Sequence, residues 1–335
     1  MSFAQRLLDW QALHGRSGLP WQNTRDPYRV WLSEIMLQQT QVATVKAYYA
    51  KFLARCPTVA DLAAASHDEV MALWAGLGYY TRARNLHACA KAVVALHGGE
   101  FPCSAEQLQT LPGIGRSTAA AIASFCFAER VAILDGNVKR VLARVYAFEH
   151  DIAVAKNDKL LWQMATDLLP TKNLDEQMPR YTQAIMDLGA TVCMPRQPTC
   201  LICPMQSICQ AKAQGRAHEL PLKIKKLKRT SQSLWLLLAR RKDGAVLLQQ
   251  RPTPGVWAGL YCLPLFDSED ELVAALSPTQ QSKLIAHTPF VHVLTHKDLH
   301  LHVMELHGEP RKIAGDWIQD IASVGLPAPI KKLLA

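Results

Sequence analysis

The stretch Leu111-Pro-Gly-Ile-Gly-Arg-Ser-Thr-Ala-Ala120 decides the fold. Pro112 lacks an amide proton and stops a helix that runs into it. Gly113 and Gly115 let the backbone turn tightly and come close to a ligand. A new helix is expected from Ser117, the amides of its first turn pointing outward, well placed for an anion such as phosphate. On this stretch alone a generic helix hairpin is the plain alternative. Outward from it, apolar residues recur at three- and four-residue steps over 30–52, 60–75, 82–96, 117–127 and 137–146. Pro or Gly punctuates between these runs, so residues 1–214 read as an all-α domain.

The character changes after Gln214. The basic stretch Lys223-Ile-Lys-Lys-Leu-Lys-Arg229 reads as an interdomain linker over 215–230, either a solvated connector or a phosphate contact. Beyond it come short β-type runs, Ser233-Leu-Trp-Leu-Leu-Leu, Ala245-Val-Leu-Leu-Gln and an alternating stretch from His292 to Leu306. Residues 231–335 are therefore expected to form a small α+β domain. There is no internal repeat and no low-complexity segment.

A length of 335 residues accommodates two cores, and 49% hydrophobic against 19% charged residues indicates a folded chain. The start, MSFAQRLLDWQALHG, lacks the apolar core and cleavage site of a secretory signal. No apolar run approaches the length of a membrane span. Cys56, Cys89, Cys103, Cys126 and Cys262 are scattered like ordinary buried thiols, so a reducing, cytoplasmic compartment is expected. A formal net charge of +9 suits an anionic partner, nucleic acid first among them.

Cys193, Cys200, Cys203 and Cys209 form the run C-x6-C-x2-C-x5-C. Four thiolates in so short a loop can hold a compact metal centre with little extra closure entropy. Structural zinc usually pairs two short C-x2-C hooks far apart, and this run has one. A loop wrapping a cubic [4Fe–4S] cluster fits better than zinc, with chance clustering of thiols as the bland alternative. Between the hairpin and this loop lies Val131-Ala-Ile-Leu-Asp-Gly-Asn137, followed by the amphipathic helix Val138-Lys-Arg-Val-Leu-Ala-Arg-Val145. Asp135 or Asn137 is expected to cap that helix. A capping carboxylate, anchored among oriented amides, can also serve chemistry.

The hairpin resembles the helix–hairpin–helix, which grips DNA backbone without reading sequence. The order of hairpin, Gly-rich turn with Asp135, and cysteine loop resembles the endonuclease III superfamily of DNA glycosylases. The match is closest to the MutY-type adenine glycosylases, which Val30-Trp-Leu-Ser-Glu-Ile-Met-Leu-Gln-Gln-Thr-Gln-Val42 and Gly76-Leu-Gly-Tyr-Tyr-Thr-Arg-Ala-Arg-Asn85 also resemble. The resemblance implies excision of adenine mispaired with 8-oxoguanine or guanine in double-stranded DNA, as a step of base excision repair in the nucleoid. That cleavage has an oxocarbenium-like transition state, which calls for an acid on the leaving group and a carboxylate near the sugar. By the resemblance Glu34 is the acid, its pKa raised by the apolar neighbours Trp31, Ile35 and Leu37. Asp135 stays ionised beside the cationic sugar, and Asn137 orients it. In related enzymes that also cut the strand, a lysine occupies the position of Ser117, and a serine cannot form the Schiff base. Lys139, near Asp135 in sequence, is a candidate for slow side reactions that nick the strand.

The glycosidic bond becomes accessible by base flipping. The resemblance places Gln39 and Tyr79 in the stack near the opposing base, with Leu77 close by, and Gln183 in the adenine pocket. Lys212 and Arg216 are candidate phosphate contacts. Residues 231–335 resemble the Nudix-like domain by which these enzymes recognise 8-oxoguanine. The acidic segment 267–271 lacks the metal-binding pattern of true Nudix hydrolases, so no pyrophosphatase activity is expected. Where the family carries Phe-Ser-His this chain reads Leu294-Thr295-His296, leaving the Thr295 hydroxyl and His296 for the lesion. The histidines from His287 to His307 read as surface or core residues rather than as a metal site. A monomer is expected, since one chain carries all the parts. The competing readings are an endonuclease III-like bifunctional pyrimidine glycosylase/lyase, disfavoured by Ser117, and a noncatalytic lesion-binding protein, disfavoured by Glu34 with Asp135.

Overall fold

The computed structural model describes residues 1–224 and 229–334. Lys225, Lys226, Leu227 and Lys228, central to the expected linker, lie outside the described residues. The chain forms two compact units, which do not follow chain order: one holds residues 1–63 and 88–226, the other 64–87 and 227–335.

The first unit is helical. The run read as one helix over 30–52 is two, Pro27–Leu37 and Val42–Arg55. They are broken where Gln39 takes φ 56°, a left-handed conformation that ends α-helical hydrogen bonding. The first of the two is started by Asp26, whose carboxylate accepts from the Tyr28 amide, with Pro27 at its first position. The hairpin joins Ala105–Leu108 to Arg116–Phe127. Gly113 uses its freedom, at φ 74°. Gly115 does not: its φ is −82°, an extended conformation open to any residue, and a Cβ there would meet nothing within 4 Å. The expectation that both glycines make the turn is corrected to Gly113 alone.

The core of this unit runs through Leu7, Val138, Leu142, Tyr181 and Leu188, all nearly free of solvent. Burying such apolar side chains stabilises by about 1.5–3 kcal/mol each. Helix Leu174–Asp187 continues directly into a π-helical turn, Leu188–Val192, which delivers the chain to Cys193. Chain beyond 214 still belongs here. Leu220 is buried, its carbonyl accepts from Arg144 Nε at 2.9 Å, and the Leu222 carbonyl accepts from the Ile152 amide.

Among the described residues, the second unit is built on an eight-stranded mixed sheet. Its strands are β1 (Thr230–Arg240), β2 (Val246–Gln250), β3 (Tyr261–Cys262), β4 (Leu265–Phe266), β5 (Ile285–Ala286), β6 (Phe290–Val293), β7 (Lys297–His307) and β8 (Asp316–Ile318). The long central strands β1 and β7 are parallel, from Thr230 beside Lys297 to Arg240 beside His307. Every other pairing is antiparallel. Leu234, Leu236, Leu237 and Leu238 are all buried, so the middle of β1 is covered on both faces and reads as a continuous apolar run rather than an alternation.

Residues 64–87 pack with this sheet, which helical periodicity could not reveal. A Cβ on Gly325 would lie 2.7 Å from Met71 Cβ, so that glycine permits close approach of helix His67–Trp74. Tyr80 donates its hydroxyl hydrogen bond to the Leu326 carbonyl at 3.1 Å, and Arg84 Nη1 donates to the Ala258 carbonyl. Among the described residues, no helix is long and apolar enough to cross a membrane.

Candidate active site

Helix Pro27–Leu37 carries Glu34 into a cleft of about 1120 Å³ in the helical unit. Glu34 lies at the cleft wall, partly buried, with Trp31, Ile35 and Met36 of its own helix in the core. Burial of the carboxyl, with a smaller push from the Asp135 charge, raises its pKa to about 7. A group held there can carry a proton at neutral pH and give it up in reaction.

Asp135 caps helix Gly136–Val145. Its Oδ1 accepts from the Val138 amide at 2.8 Å and its Oδ2 from Asn137 Nδ2 at 3.2 Å. The chain entering Asp135 is held in turn, for the Leu134 amide donates to Ser117 Oγ at 3.1 Å. The same cleft is lined by Gln39, Ser117, Asn137 and Gln183, with no lysine among the described residues that line it. Lys139, adjacent in sequence, is ion-paired with Asp158. Gln183 donates to Asp187 Oδ1 at 2.8 Å, and the fully buried Asp187 also accepts from Arg16 Nε at 2.7 Å. Neither support was read from the sequence: Asp187 stands four residues on along the same helix, a spacing that was legible, whereas Arg16 lies 171 residues from Asp187.

Arg140 was also missed. Its guanidinium donates to Asn137 Oδ1 at 2.8 Å, to the Gly189 carbonyl at 2.6 Å and to the Cys193 carbonyl at 2.7 Å. Asp135, Asn137, Arg140 and the first cysteine of the loop therefore form one hydrogen-bonded chain. Gly189 makes room for it, since a Cβ there would lie 2.7 Å from Asn137 Cβ. The available signal was two arginines, Arg140 and Arg144, on the apolar side of an amphipathic helix, where an unpaired charge is costly. Arg144, with 2% of its surface exposed, donates to Cys193 Sγ at 3.4 Å and to the carbonyls of Met194, Pro195 and Leu220.

Cys193, Cys200, Cys203 and Cys209 line one small apolar hollow, together with Val141, Val192 and Met205. Burial pushes the Cys203 thiol up to about 12 and the Cys209 thiol upward, so a metal must displace their protons. Among the described residues, no three Cys, His, Asp or Glu side chains converge on a point that would hold a single ion. Zinc needs its sulfurs about 2.3 Å from one centre. A cluster gives each thiolate its own iron, and a set of four cysteines in one loop is the donor set it takes.

In the sheet unit, Tyr79 sits at φ 49° on the turn before helix Thr81–His97, 46% exposed. Its hydroxyl is 2.8 Å from Thr295 Oγ1 in the β6–β7 turn. Thr295 and His296 are exposed. Leu77, two residues before Tyr79 in the same turn, is buried at 6% exposure. Arg216 is engaged by Glu149 and Glu219, which leaves its charge largely matched within the protein. Of the histidines, His287 pairs with Glu305, His300 with Ser231, and His302 stacks on Trp235.

Residues 32–166 match the family described as HhH-GPD superfamily base excision DNA repair protein, and residues 235–335 match the NUDIX domain. The adenine DNA glycosylase of Buchnera aphidicola subsp. Baizongia pistaciae is 35% identical over 341 residues, covering 99% of this chain and 95% of that protein. This chain belongs to the adenine DNA glycosylase family. The adenine DNA glycosylase of Homo sapiens is 45% identical over 229 residues, 65% of this chain and 41% of that protein. Among solved structures, a thermostable thymine-DNA glycosylase superposes with TM-score 0.57 at 29% identity, over 63% of this chain and 95% of that one. An endonuclease III in a non-covalent DNA complex superposes with TM-score 0.52 at 22% identity, over 64% and 100%, a likeness of fold. The adenine DNA glycosylases are base excision repair enzymes, and this chain is accordingly a monofunctional hydrolase of N-glycosyl bonds whose partner is DNA. Family and fold both suggest an iron–sulfur cluster for the cysteine loop.

Proposed function

We propose that this glycosylase removes adenine opposite 8-oxoguanine, and opposite guanine, with Glu34 as general acid and Asp135 as the carboxylate beside the sugar. The observation that carries the reading is the asymmetry of two carboxyls lining one cleft. Glu34 is pushed up to about 7, whereas both oxygens of Asp135 accept N–H hydrogen bonds that hold its carboxyl in place at the head of its helix. One group is suited to deliver a proton to the purine and the other to face a cationic sugar, as glycoside cleavage requires. Asn137 holds Asp135, and Gln183, fixed by Asp187, lines the pocket for the flipped base. Ser117 offers no amine, so an abasic site is the product.

Gln39, exposed in its left-handed turn, and Tyr79 are the residues proposed to enter the stack. Thr295, His296 and the Tyr79 hydroxyl are proposed to face the damaged base, with Gly113, Gly115 and Ser117 near the phosphates. The thiolates of Cys193, Cys200, Cys203 and Cys209 would hold a [4Fe–4S] cluster, which supplies no bond-breaking chemistry and orders the loop. The enzyme is proposed to act as a monomer within the nucleoid.

The test is single-turnover cleavage of end-labelled duplexes carrying A:8-oxoguanine, A:G, A:T or thymine glycol, with and without alkali. Alkali-dependent breaks at adenine in the first two are expected. Alkali-independent breaks at thymine glycol would overturn the reading. Asp135→Asn is expected to abolish excision while duplex binding survives, and near-normal rates would remove Asp135 from its role.

A further inference from the structure

We infer, on the reading of Thr295 and His296 as the lesion contacts, that Arg229 holds the β6–β7 turn in its reading conformation. The last residue of the basic stretch 223–229 is then a positioning residue rather than a phosphate contact. The turn has few bonds of its own. Val293 stands opposite Asp298 where the β6–β7 ladder ends, and the Leu294 amide donates to the Lys297 carbonyl at 2.8 Å. Thr295 and His296 project beyond that ladder.

Their carbonyls are engaged instead from the start of β1, 66 residues earlier in the chain. Arg229 Nη1 donates to the Thr295 carbonyl at 3.2 Å, and the Thr230 amide donates to the His296 carbonyl at 3.1 Å. Arg229 Nη2 pairs with Asp298, the first residue past the turn on β7 that faces Val293. A guanidinium is planar and its two Nη groups point in fixed directions, so one arginine spanning turn and strand sets the spacing between them.

The backbone of the turn is thus tied down while the Thr295 and His296 side chains stay exposed. A contact surface held in this way loses little further freedom on binding. A shift of the turn would also carry the Thr295 hydroxyl away from the Tyr79 hydroxyl, which lies 2.8 Å from it. Both Nη groups of Arg229 already have acceptors, a carbonyl and a carboxylate, so the charge is matched within the sheet unit. Arg229 and Asp298 are 41% and 34% exposed, and solvent screens such a pair, so the effect on affinity is a few-fold rather than orders of magnitude.

The experiment measures affinity of the full chain for duplexes carrying non-cleavable 2′-fluoro-deoxyadenosine opposite 8-oxoguanine or guanine, at several KCl concentrations. Single-turnover excision at saturating enzyme is followed on the cleavable counterparts. Both duplexes carry the same phosphates, so the ratio of affinities isolates the turn. Arg229→Met should lower that ratio about fivefold, with the salt slope and the excision rate at saturation unchanged. Asp298→Asn, which keeps the arginine's charge, should lower it in the same direction, and the double variant should be no worse than Arg229→Met alone. Equal weakening on both duplexes, with the salt slope reduced by about one, would make Arg229 a phosphate contact and overturn the proposal. So would full additivity in the double variant, or a slowed excision rate at saturation with the ratio kept. A wild-type ratio in Arg229→Met beside a lowered one in Thr295→Val would overturn the role of Arg229 alone. A wild-type ratio in both would remove the lesion reading, and the role of Arg229 with it.

Discussion

Replacing Glu34 by Gln tests the division of labour between the carboxyls most directly. Moving the Glu34 carboxyl from 4.5 to about 7 makes its ionised form about 3 kcal/mol less favourable than in water. The sign then follows. The protonated form is the acid, so single-turnover excision should be level below about pH 6 and fall as pH rises through 7. By pH 8.5 about 3% of the enzyme keeps the proton, and the rate should drop about thirtyfold from its plateau. An unshifted carboxyl would put the fall near 4.5 instead. Glu34→Gln should lose about 10²–10⁴-fold in rate at pH 7 and show no break near 7, with duplex affinity kept. The folded state also holds this proton more tightly than the unfolded chain, so wild-type stability is lost between pH 4.5 and 7. The Gln variant should escape that loss and unfold at higher urea than wild type at pH 8, but not at pH 4.5. A wild-type midpoint near 4.5, or a Gln variant with the wild-type profile, would refute the reasoning.

Three further perturbations follow from packing. Gly189→Ala places a Cβ 2.7 Å from Asn137 Cβ; overpacking of this kind costs about 1–3 kcal/mol, and displacement of Asn137 should lower excision tenfold or more with DNA binding kept. Wild-type rates would mean that Asn137 does not position Asp135. Arg144→Leu strands the carbonyls of Met194, Pro195 and Leu220, so it should cost at least about 2 kcal/mol in stability and reduce visible absorbance per chain, read by urea unfolding and spectroscopy. In a double-mutant cycle, Tyr79→Phe and Thr295→Val should couple by about 0.5–1.5 kcal/mol in the preference for 8-oxoguanine over guanine, whereas strict additivity would show that their hydrogen bond has no part in discrimination.

What could be read along the chain was whatever is encoded locally. The helical first part, the turn at Gly113, the cap at Asp135 and the close-set cysteines each rest on residues within a few positions of one another, where propensity, capping and spacing act. Two errors were local as well. The break at Gln39 has no Gly or Pro to mark it, and Gly115 carried a turn signal that the backbone does not use.

What only the tertiary structure decided concerns residues far apart in sequence. Gln183 owes its place to Asp187 and through it to Arg16, and Asn137 is tied to the cysteine loop by Arg140 across more than fifty residues. Residues 64–87 read as ordinary helix, yet they belong with the sheet because Gly325 admits Met71 and Tyr80 reaches the Leu326 carbonyl. Even the raised pKa of Glu34 required the fold, since apolar neighbours on one helix cannot desolvate a carboxyl until other elements close over it. Local sequence and the resemblance it carries thus named the candidate groups, whereas burial and hydrogen bonding between distant segments set the raised pKa of Glu34 and the partners of Asn137 and Gln183.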